Sequence, residues 1–162
     1  MKITFVQAGG TIDKNYPRHA RQYHFEIAEP AFKNILHAAD PNFECEFVTI
    51  LQKDSLDMTD DDRQKVLETC RNISNDKIIV THGTDTMVLT ARALSAIKNK
   101  TIVLTGAMEP EIFKTSDAGF NLGVAVGALN VLGNGVYVAM NGRVYAYDKC
   151  DKDPVLCRFV EK

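Results

Sequence analysis

Short apolar stretches alternate with longer amphipathic ones along most of the chain, and this alternation constrains the fold more than any other feature. Strands are predicted over residues 2–8, 43–51, 78–80, 101–105 and 136–140, and helices over about 30–39, 60–72, 86–97 and 118–132. Strands and helices in this order are typical of an α/β domain with a mainly parallel sheet between two helical layers. We therefore predict a three-layer doubly wound fold with flavodoxin-like strand order, formed by residues 1–162 as a single domain.

Three segments depart from this alternation. After the fifth strand, Asn141-Gly142 is a strong hairpin signal and residues 143–147 alternate as a returning strand, so a C-terminal β-hairpin is predicted. Residues 13–28 mix proline, charges and aromatics without a helical period. A connection this long is uncommon in a compact domain and is usually functional or disordered. The tail from Asp148 shows no readable pattern.

The composition argues against several classes of partner. A net charge of -2 gives no electrostatic reason to expect nucleic acid or an anionic membrane surface. No stretch approaches the roughly 20 apolar residues of a membrane span, and the N-terminus lacks a full signal-peptide core. A cytoplasmic location is therefore predicted. The four cysteines show no C-x-x-C spacing and are expected to be reduced thiols.

Polar side chains follow three of the predicted strands. Thr11 comes directly after a pair of glycines, and Thr84 and Asp85 follow the strand at 78–80. In the strand order 2-1-3-4-5 these two loops meet at the switch point, where doubly wound domains bind ligands. Ser55, from the loop after the second strand, would line the same crevice. The alternative is that Asp85 or the next residue merely caps the following helix.

Several known motifs are absent from the sequence, and their absence limits the reactions and cofactors that can be predicted for this crevice. The chain has no G-x-G-x-x-G, no P-loop and no G-x-S-x-G elbow, so neither a nucleotide cofactor nor a conventional serine hydrolase is predicted. No metal is expected, because paired ligand spacing is absent among the histidines, His19, His24, His37 and His82. A threonine nucleophile remains, and such a hydroxyl needs a base or cation and an oxyanion hole.

Five motifs then connect the chain to a known family. They are G-G-T-I at 9–12, D-S-L-D-M-T at 54–59, T-H-G-T-D-T-M at 81–87, T-G-A-M-E-P at 105–110 and S-D-A-G-F-N-L at 116–122. In this order they resemble the asparaginase/glutaminase family of bacterial-type L-asparaginases. The resemblance covers the family's N-terminal catalytic domain, without its smaller C-terminal domain. It therefore implies a short, single-domain asparaginase.

The resemblance assigns the catalytic groups. It implies that Thr11 is the nucleophile that attacks the side-chain amide carbon, forms a β-aspartyl enzyme and releases ammonia. Thr84 would be a second catalytic threonine, assisted by a lysine. Counting along the chain gives Lys152 as that lysine, with Lys149 and Lys114 as alternatives.

The resemblance also assigns substrate-binding groups. Asp85 would bind the α-ammonium group and Ser55 the α-carboxylate. The backbone amides around Gly10, Gly83 and Thr84 are candidates for binding the substrate oxygen. The family places a tyrosine in the loop after the nucleophile. The remaining candidates in this chain are Tyr16 and, as the alternative, Tyr23, since Phe25 stands at the position where longer members have that tyrosine.

The predicted function is hydrolysis of L-asparagine to L-aspartate and ammonia without a cofactor, with L-glutamine as a possible side substrate. In two-domain members a neighbouring subunit helps to bind the α-amino group. Here either another surface of a homo-oligomer, dimer or tetramer, is expected to close the pocket, or the affinity for the free amino acid is lower. Two alternatives are a non-catalytic amino-acid-binding or regulatory protein that kept the pocket, and an amidase that acts on another amide.

Overall fold

The computed structural model describes residues 1–17 and 24–162. The strands in this part of the chain are β1 (Lys2–Gly9), β2 (Lys14–Asn15), β3 (Glu26–Ile27), β4 (Glu44–Lys53), β5 (Lys77–Thr81), β6 (Thr101–Thr105), β7 (Gly135–Met140), β8 (Arg143–Ala146), β9 (Cys150–Asp153) and β10 (Arg158–Glu161). The α-helices are α1 (Phe32–Ala39), α2 (Asp60–Asn72), α3 (Met87–Leu94) and α4 (Ala118–Val131). The predicted strands and helices lie within a few residues of these bounds.

The main sheet has six strands in the order β4-β1-β5-β6-β7-β8. The first five are parallel, and β8 runs antiparallel to β7. This order confirms the predicted doubly wound, flavodoxin-like arrangement. The chain reverses its direction of winding between β1 and β5, so the loops after these strands border the switch-point crevice.

The sheet is buried on both faces, as the continuous apolar strands predict. Phe5 and Ile79 point to the face covered by α1 and α4. Val6 and Val80, one position further along each strand, point to the face covered by α2 and α3. Successive side chains of a strand lie on opposite faces, so each central strand contributes to both cores. The result is the predicted three-layer domain.

The ends of α2 are held by polar side chains. Thr59 and Asp62 form a capping box at the N-terminus, and Asp62 also accepts a hydrogen bond of 2.8 Å from the Lys53 ammonium. The hydrogen bond from Lys53 lowers the pKa of Asp62 to about 2. At the other end, the buried ammonium of Lys100 donates to the carbonyls of Ile73 and, at 3.0 Å, Asn75. No helix in the described residues is long and apolar enough to cross a membrane.

Two hairpins follow the last parallel strand. The first turns at Asn141-Gly142, where both residues have positive φ (53° and 78°), as a tight hairpin turn requires. This confirms the hairpin predicted from the sequence. The second, β9–β10, was not predicted. It packs against the α2/α3 side of the sheet through Cys150 and Phe159. The carboxamide of Asn141 joins the two hairpins by accepting a hydrogen bond of 3.0 Å from the backbone of Phe159.

Candidate active site

The loops after β1 and β5 touch through two glycines. Gly10 has φ of +98°, and a methyl group at this position would lie 2.3 Å from the Cα of Gly83. Only glycine allows both this backbone conformation and this approach. Thr11 directly follows Gly10 and is half-buried, and Thr84 directly follows Gly83 and is 6% exposed. The two threonines predicted as catalytic therefore extend from loops in backbone contact.

The loop after β4 adds a buried serine to the same place. A methyl group on Gly83 would lie 2.6 Å from the Cβ and Oγ of Ser55, so the serine packs directly on this glycine. The Thr86 hydroxyl donates to the Ser55 carbonyl at 2.8 Å and so joins this loop to the start of α3. Ser55 is 1% exposed, and its Oγ has no hydrogen-bond partner among the described residues. A buried hydroxyl in this state is available to a ligand.

A lysine on the β9–β10 hairpin, which was not predicted, lies beside Thr84 and Asp85. Lys152 on β9 donates through its Nζ to the Thr84 Oγ1 at 2.8 Å and to the Asp85 Oδ1 at 2.5 Å. The Lys152 side chain is 18% exposed and the Asp85 side chain 45% exposed. Because the carboxylate fixes the ammonium, the positive charge is held against the threonine hydroxyl. Of the other two candidates, Lys149 lies beside Asp148 and Lys114 is exposed.

His82, between β5 and the threonine motif, is a structural residue. Its imidazole is fully buried, and burial lowers the pKa of His82 to about 4. The ring nitrogens lie 2.8 Å from the carbonyl of Gly83 and 2.7 Å from the Thr90 hydroxyl. In the neutral ring, Nδ1 donates to the carbonyl and Nε2 accepts from the hydroxyl. His82 therefore fixes the position of Gly83 rather than exchanging protons with solvent.

Two charged residues directly after the Thr11 turn were missed by the sequence reasoning. Lys14 forms a 2.8 Å ion pair with Asp54, which ties the segment after Thr11 to the loop of Ser55. The hydrogen bond from Lys14 lowers the pKa of Asp54. Asp13 is 3% exposed, and burial raises the pKa of Asp13 to about 6. The sequence could have pointed to Asp13 and Lys14 by their positions, two and three residues after Thr11, the candidate nucleophile.

Tyr16 lies just beyond β2, in the same segment. Tyr16 is 53% exposed, and its ring packs edge-on against Phe25, with ring centroids 6.3 Å apart. The alternative tyrosine, Tyr23, lies outside the described residues, and so does His19. In the part of the chain that the structure describes, no three His, Cys, Asp or Glu side chains are grouped so as to hold a metal ion.

The switch point of this doubly wound domain gathers two threonines, a carboxylate, a lysine and a serine whose hydroxyl has no partner among the described residues. Doubly wound domains of this class bind small polar ligands at this point. The comparison with known families is specific. The family model described as "Asparaginase, N-terminal" matches residues 2–153. The chain therefore belongs to the asparaginase family, as the sequence motifs predicted.

Known proteins and solved structures agree with this assignment. A probable periplasmic L-asparaginase of Haemophilus influenzae is 35% identical over 160 residues, which cover 88% of this chain and 43% of that protein. The thermostable L-asparaginase from Thermococcus kodakarensis superposes with a TM-score of 0.86 at 27% identity, over 99% of this chain and 51% of its own. A probable cytoplasmic L-asparaginase from Campylobacter jejuni gives 0.83 at 25% identity, over 99% and 53%. The chain spans about half the length of these relatives.

Proposed function

We propose that residues 1–162 form one catalytic domain that hydrolyses L-asparagine to L-aspartate and ammonia. The observation that carries this proposal is the hydrogen bond of 2.8 Å from Lys152 to the Thr84 hydroxyl, beside the glycine contact that adjoins Thr11. An amino-acid-binding domain has no need of a lysine fixed on one of two neighbouring threonines. Membership of the asparaginase family supports the same reaction.

Acylation begins at Thr11 in this proposal. Its Oγ1 attacks the carboxamide carbon of the substrate, and the hydroxyl proton passes to the leaving nitrogen as the C–N bond breaks. Ammonia leaves, and a β-aspartyl ester remains on the threonine. The oxygen of the tetrahedral intermediate would be stabilised by backbone amides near Gly10 and Thr84. Tyr16 would hydrogen-bond to the Thr11 hydroxyl and orient it for attack.

Deacylation returns the enzyme to its starting state. A water molecule attacks the ester carbonyl, and Thr84 with the Lys152 ammonium beside it directs the proton movement. The proton lost by water restores the hydroxyl of Thr11 as the ester C–O bond breaks. A positive charge held against Thr84 favours oxyanion character on its oxygen, which is the physical reason for placing a lysine there.

The substrate's two charged α-groups match two side chains of the crevice. Lys152 contacts the Oδ1 of Asp85, and Oδ2 would accept a hydrogen bond from the α-ammonium. The Ser55 hydroxyl, which has no partner in the part of the chain that the structure describes, would donate to the α-carboxylate. Both side chains are needed because the α-carbon of an amino acid carries a positively charged ammonium group and a negatively charged carboxylate. The two contacts would leave the side-chain amide pointing towards Thr11.

L-glutamine is a second candidate substrate. The glutaminase-asparaginase of Pseudomonas fluorescens is 35% identical over 86 residues, which cover 50% of this chain and 24% of that protein. A glutamyl-tRNA(Gln) amidotransferase polypeptide of Methanococcus maripaludis is 45% identical over 67 residues, 40% of this chain and 16% of that protein. Ammonia release from L-asparagine and from L-glutamine, measured with the same protein, would show which amide is preferred.

Assembly and location belong to the proposal as well. The Asp85 side chain is 45% exposed, so an α-ammonium bound there would remain open to water. A homo-oligomer, dimer or tetramer, would cover it, and light scattering coupled to gel filtration tests this. The cytoplasmic location stays a prediction, because the relatives include both a periplasmic and a cytoplasmic protein by name.

Ammonia release from L-asparagine and L-glutamine, measured over a wide substrate range, tests the function. We expect Thr11→Ala and Lys152→Met to lose at least about 10³-fold in kcat, the scale seen when a nucleophile or its activating group is removed. The matched controls are Thr69→Ala on α2 and Lys149→Met, which lie outside the crevice. Near-normal turnover by folded Thr11→Ala would refute the mechanism, and absence of turnover by the wild type would refute the function.

A further inference from the structure

Three exposed aromatic rings form a continuous chain of contacts, and we call them the aromatic cluster: Tyr16, Phe25 and Phe113. The centroids of the Tyr16 and Phe25 rings are 6.3 Å apart at an interplanar angle of 89°. Those of Phe25 and Phe113 are 5.8 Å apart at 68°. Both contacts have the edge-to-face geometry that aromatic pairs favour. The cluster joins the segment after Thr11 to the loop that follows β6.

The cluster is not part of the hydrophobic core. Tyr16, Phe25 and Phe113 are 53%, 41% and 40% exposed, whereas the core phenylalanines Phe5 and Phe32 are fully buried. Rings that remain this open to water add little to folding through burial, because the gain scales with the area removed from water. Their mutual packing therefore fixes the relative positions of the two segments more than it stabilises the domain.

Among the described residues, the segment that bears Tyr16 is held at its base by the Lys14–Asp54 ion pair and by a short strand pairing. Strands β2 and β3 have two residues each, with Lys14 paired with Ile27 and Asn15 with Glu26. An isolated pairing of this length is marginal in water. The hairpin grows directly from the Thr11 turn, so its orientation decides where the Tyr16 ring lies relative to the nucleophile.

The segment that bears Phe113 is firmly attached as well. The amide of Glu111 donates to the Ile12 carbonyl at 3.1 Å, which ties this loop to the turn at Thr11. The amide of Phe113 donates to the carbonyl of Pro110 at 3.0 Å within the same loop. Phe113 is thus held in a fixed position, and the β2–β3 hairpin can pack against it.

We propose that Phe25 and Phe113 are positioning residues that hold the Tyr16 ring in the segment that follows Thr11. The proposal rests on the function proposed above, in which the Tyr16 hydroxyl orients the nucleophile. Neither phenylalanine has a polar atom to offer the substrate, so both act through the tyrosine. Asp85 and Ser55, which would bind the substrate's α-groups, lie outside the cluster. Loss of the cluster should therefore lower kcat and leave KM nearly unchanged.

Phe113→Ala is the central variant, because it removes one ring from the firmly attached side. An aromatic pair contributes on a scale that corresponds to about 2- to 12-fold in rate. We expect kcat for L-asparagine to fall within that range and to return in Phe113→Tyr, which restores the ring. Phe120→Ala, a change at a 63% exposed phenylalanine on α4, is the matched control and should leave kcat unchanged.

A second background shows whether Phe113 acts through Tyr16. In Tyr16→Phe the hydroxyl is already missing, so adding Phe113→Ala should cause no further loss of kcat. An equal fall in both backgrounds would overturn the proposal, because Phe113 would then act by another route. An unchanged kcat of Phe113→Ala in the wild-type background would overturn it as well.

Hydrogen exchange of the amides in β2 and β3 gives a readout that needs no substrate. Phe113→Ala should increase their exchange, Phe113→Tyr should restore protection, and Phe120→Ala should have no effect. If the wild type releases no ammonia, the proposed function fails, and the exchange data alone decide whether the cluster holds the hairpin. Unchanged exchange in Phe113→Ala would then overturn the positioning role.

Discussion

Replacing Asp13 by asparagine should stabilise the chain at neutral pH. Asp13 is 3% exposed, and its Oδ1 accepts a hydrogen bond of 2.8 Å from the amide of Ala31, just before α1. Its Oδ2 has no hydrogen-bond partner among the described residues. Burial, with a smaller effect of the nearby Glu111 charge, raises the pKa of Asp13 from 3.8 to about 6. The folded chain therefore binds this proton more tightly than the unfolded chain.

The sign and size of the effect follow from that difference. A carboxyl whose pKa is raised by folding contributes stability below about pH 4, and the contribution is lost as the pH rises through about 6. The interval between 3.8 and about 6 corresponds to about 3 kcal/mol. The carboxamide introduced by Asp13→Asn would keep an acceptor for the Ala31 amide and carry no charge at any pH. For a chain of this size, a change of about 3 kcal/mol is about 6 to 12 °C in Tm.

Thermal unfolding of wild type and Asp13→Asn between pH 4 and pH 8 provides the assay. The two Tm values should be nearly equal at pH 4, and the variant should become the more stable as the pH passes 6. Asp76→Asn, at an exposed aspartate, is the control and should show no such divergence. A difference in Tm that does not depend on pH, or that is largest at pH 4, would refute the reasoning.

Three further predictions concern other contacts. Gly83→Ala should lower the free energy of unfolding in urea by about 1 to 3 kcal/mol, because its methyl group meets Ser55; adding Ser55→Gly should recover most of the loss. Thr90→Val should cost a similar amount, because the buried Nε2 of His82 loses its partner; an unchanged denaturation midpoint would contradict this. The pKa of Asp62 is lowered to about 2, so its contribution is present above pH 4 and lost as the pH falls through 2. Asp62→Asn should accordingly lower Tm at pH 7 and by less at pH 2.

The fold could be predicted where short-range patterns determine it. The apolar runs around Phe5 and Ile79 are long enough to require burial on both faces, which implies a parallel sheet between helices. Asn141-Gly142 specifies its turn by backbone preference alone. The flavodoxin-like strand order is one of the few that such connections favour, and the sheet confirms it.

The second hairpin could not be predicted in the same way. Residues 150–153 read C-D-K-D, which has no apolar alternation. They form a strand because Cys150 and Phe159 enter the core beside α2 and α3, and because Tyr145 donates to the Phe159 carbonyl at 3.0 Å. These contacts join residues far apart in sequence, and no local pattern encodes them.

The residues of the candidate site also fall into two groups, those that local sequence patterns could predict and those that they could not. The threonines, Asp85 and Ser55 were found because each follows a readable strand. Lys152 was reached only through the family resemblance, and its contact with Thr84 depends on the unpredicted hairpin. Burial of the carboxyl of Asp13 and the neutral ring of His82 depend on the surrounding atoms, which a residue's type and spacing do not reveal.

The position of Lys152 on the β9–β10 hairpin makes the site sensitive to partial unfolding. The loops bearing both threonines belong to other elements, so a local opening of this hairpin would leave them in place. In that locally opened state, Thr84 would have its hydroxyl in place and no ammonium beside it. Loss of activity in denaturant should therefore precede the loss of helical signal, and the reaction would report on the docking of one small hairpin.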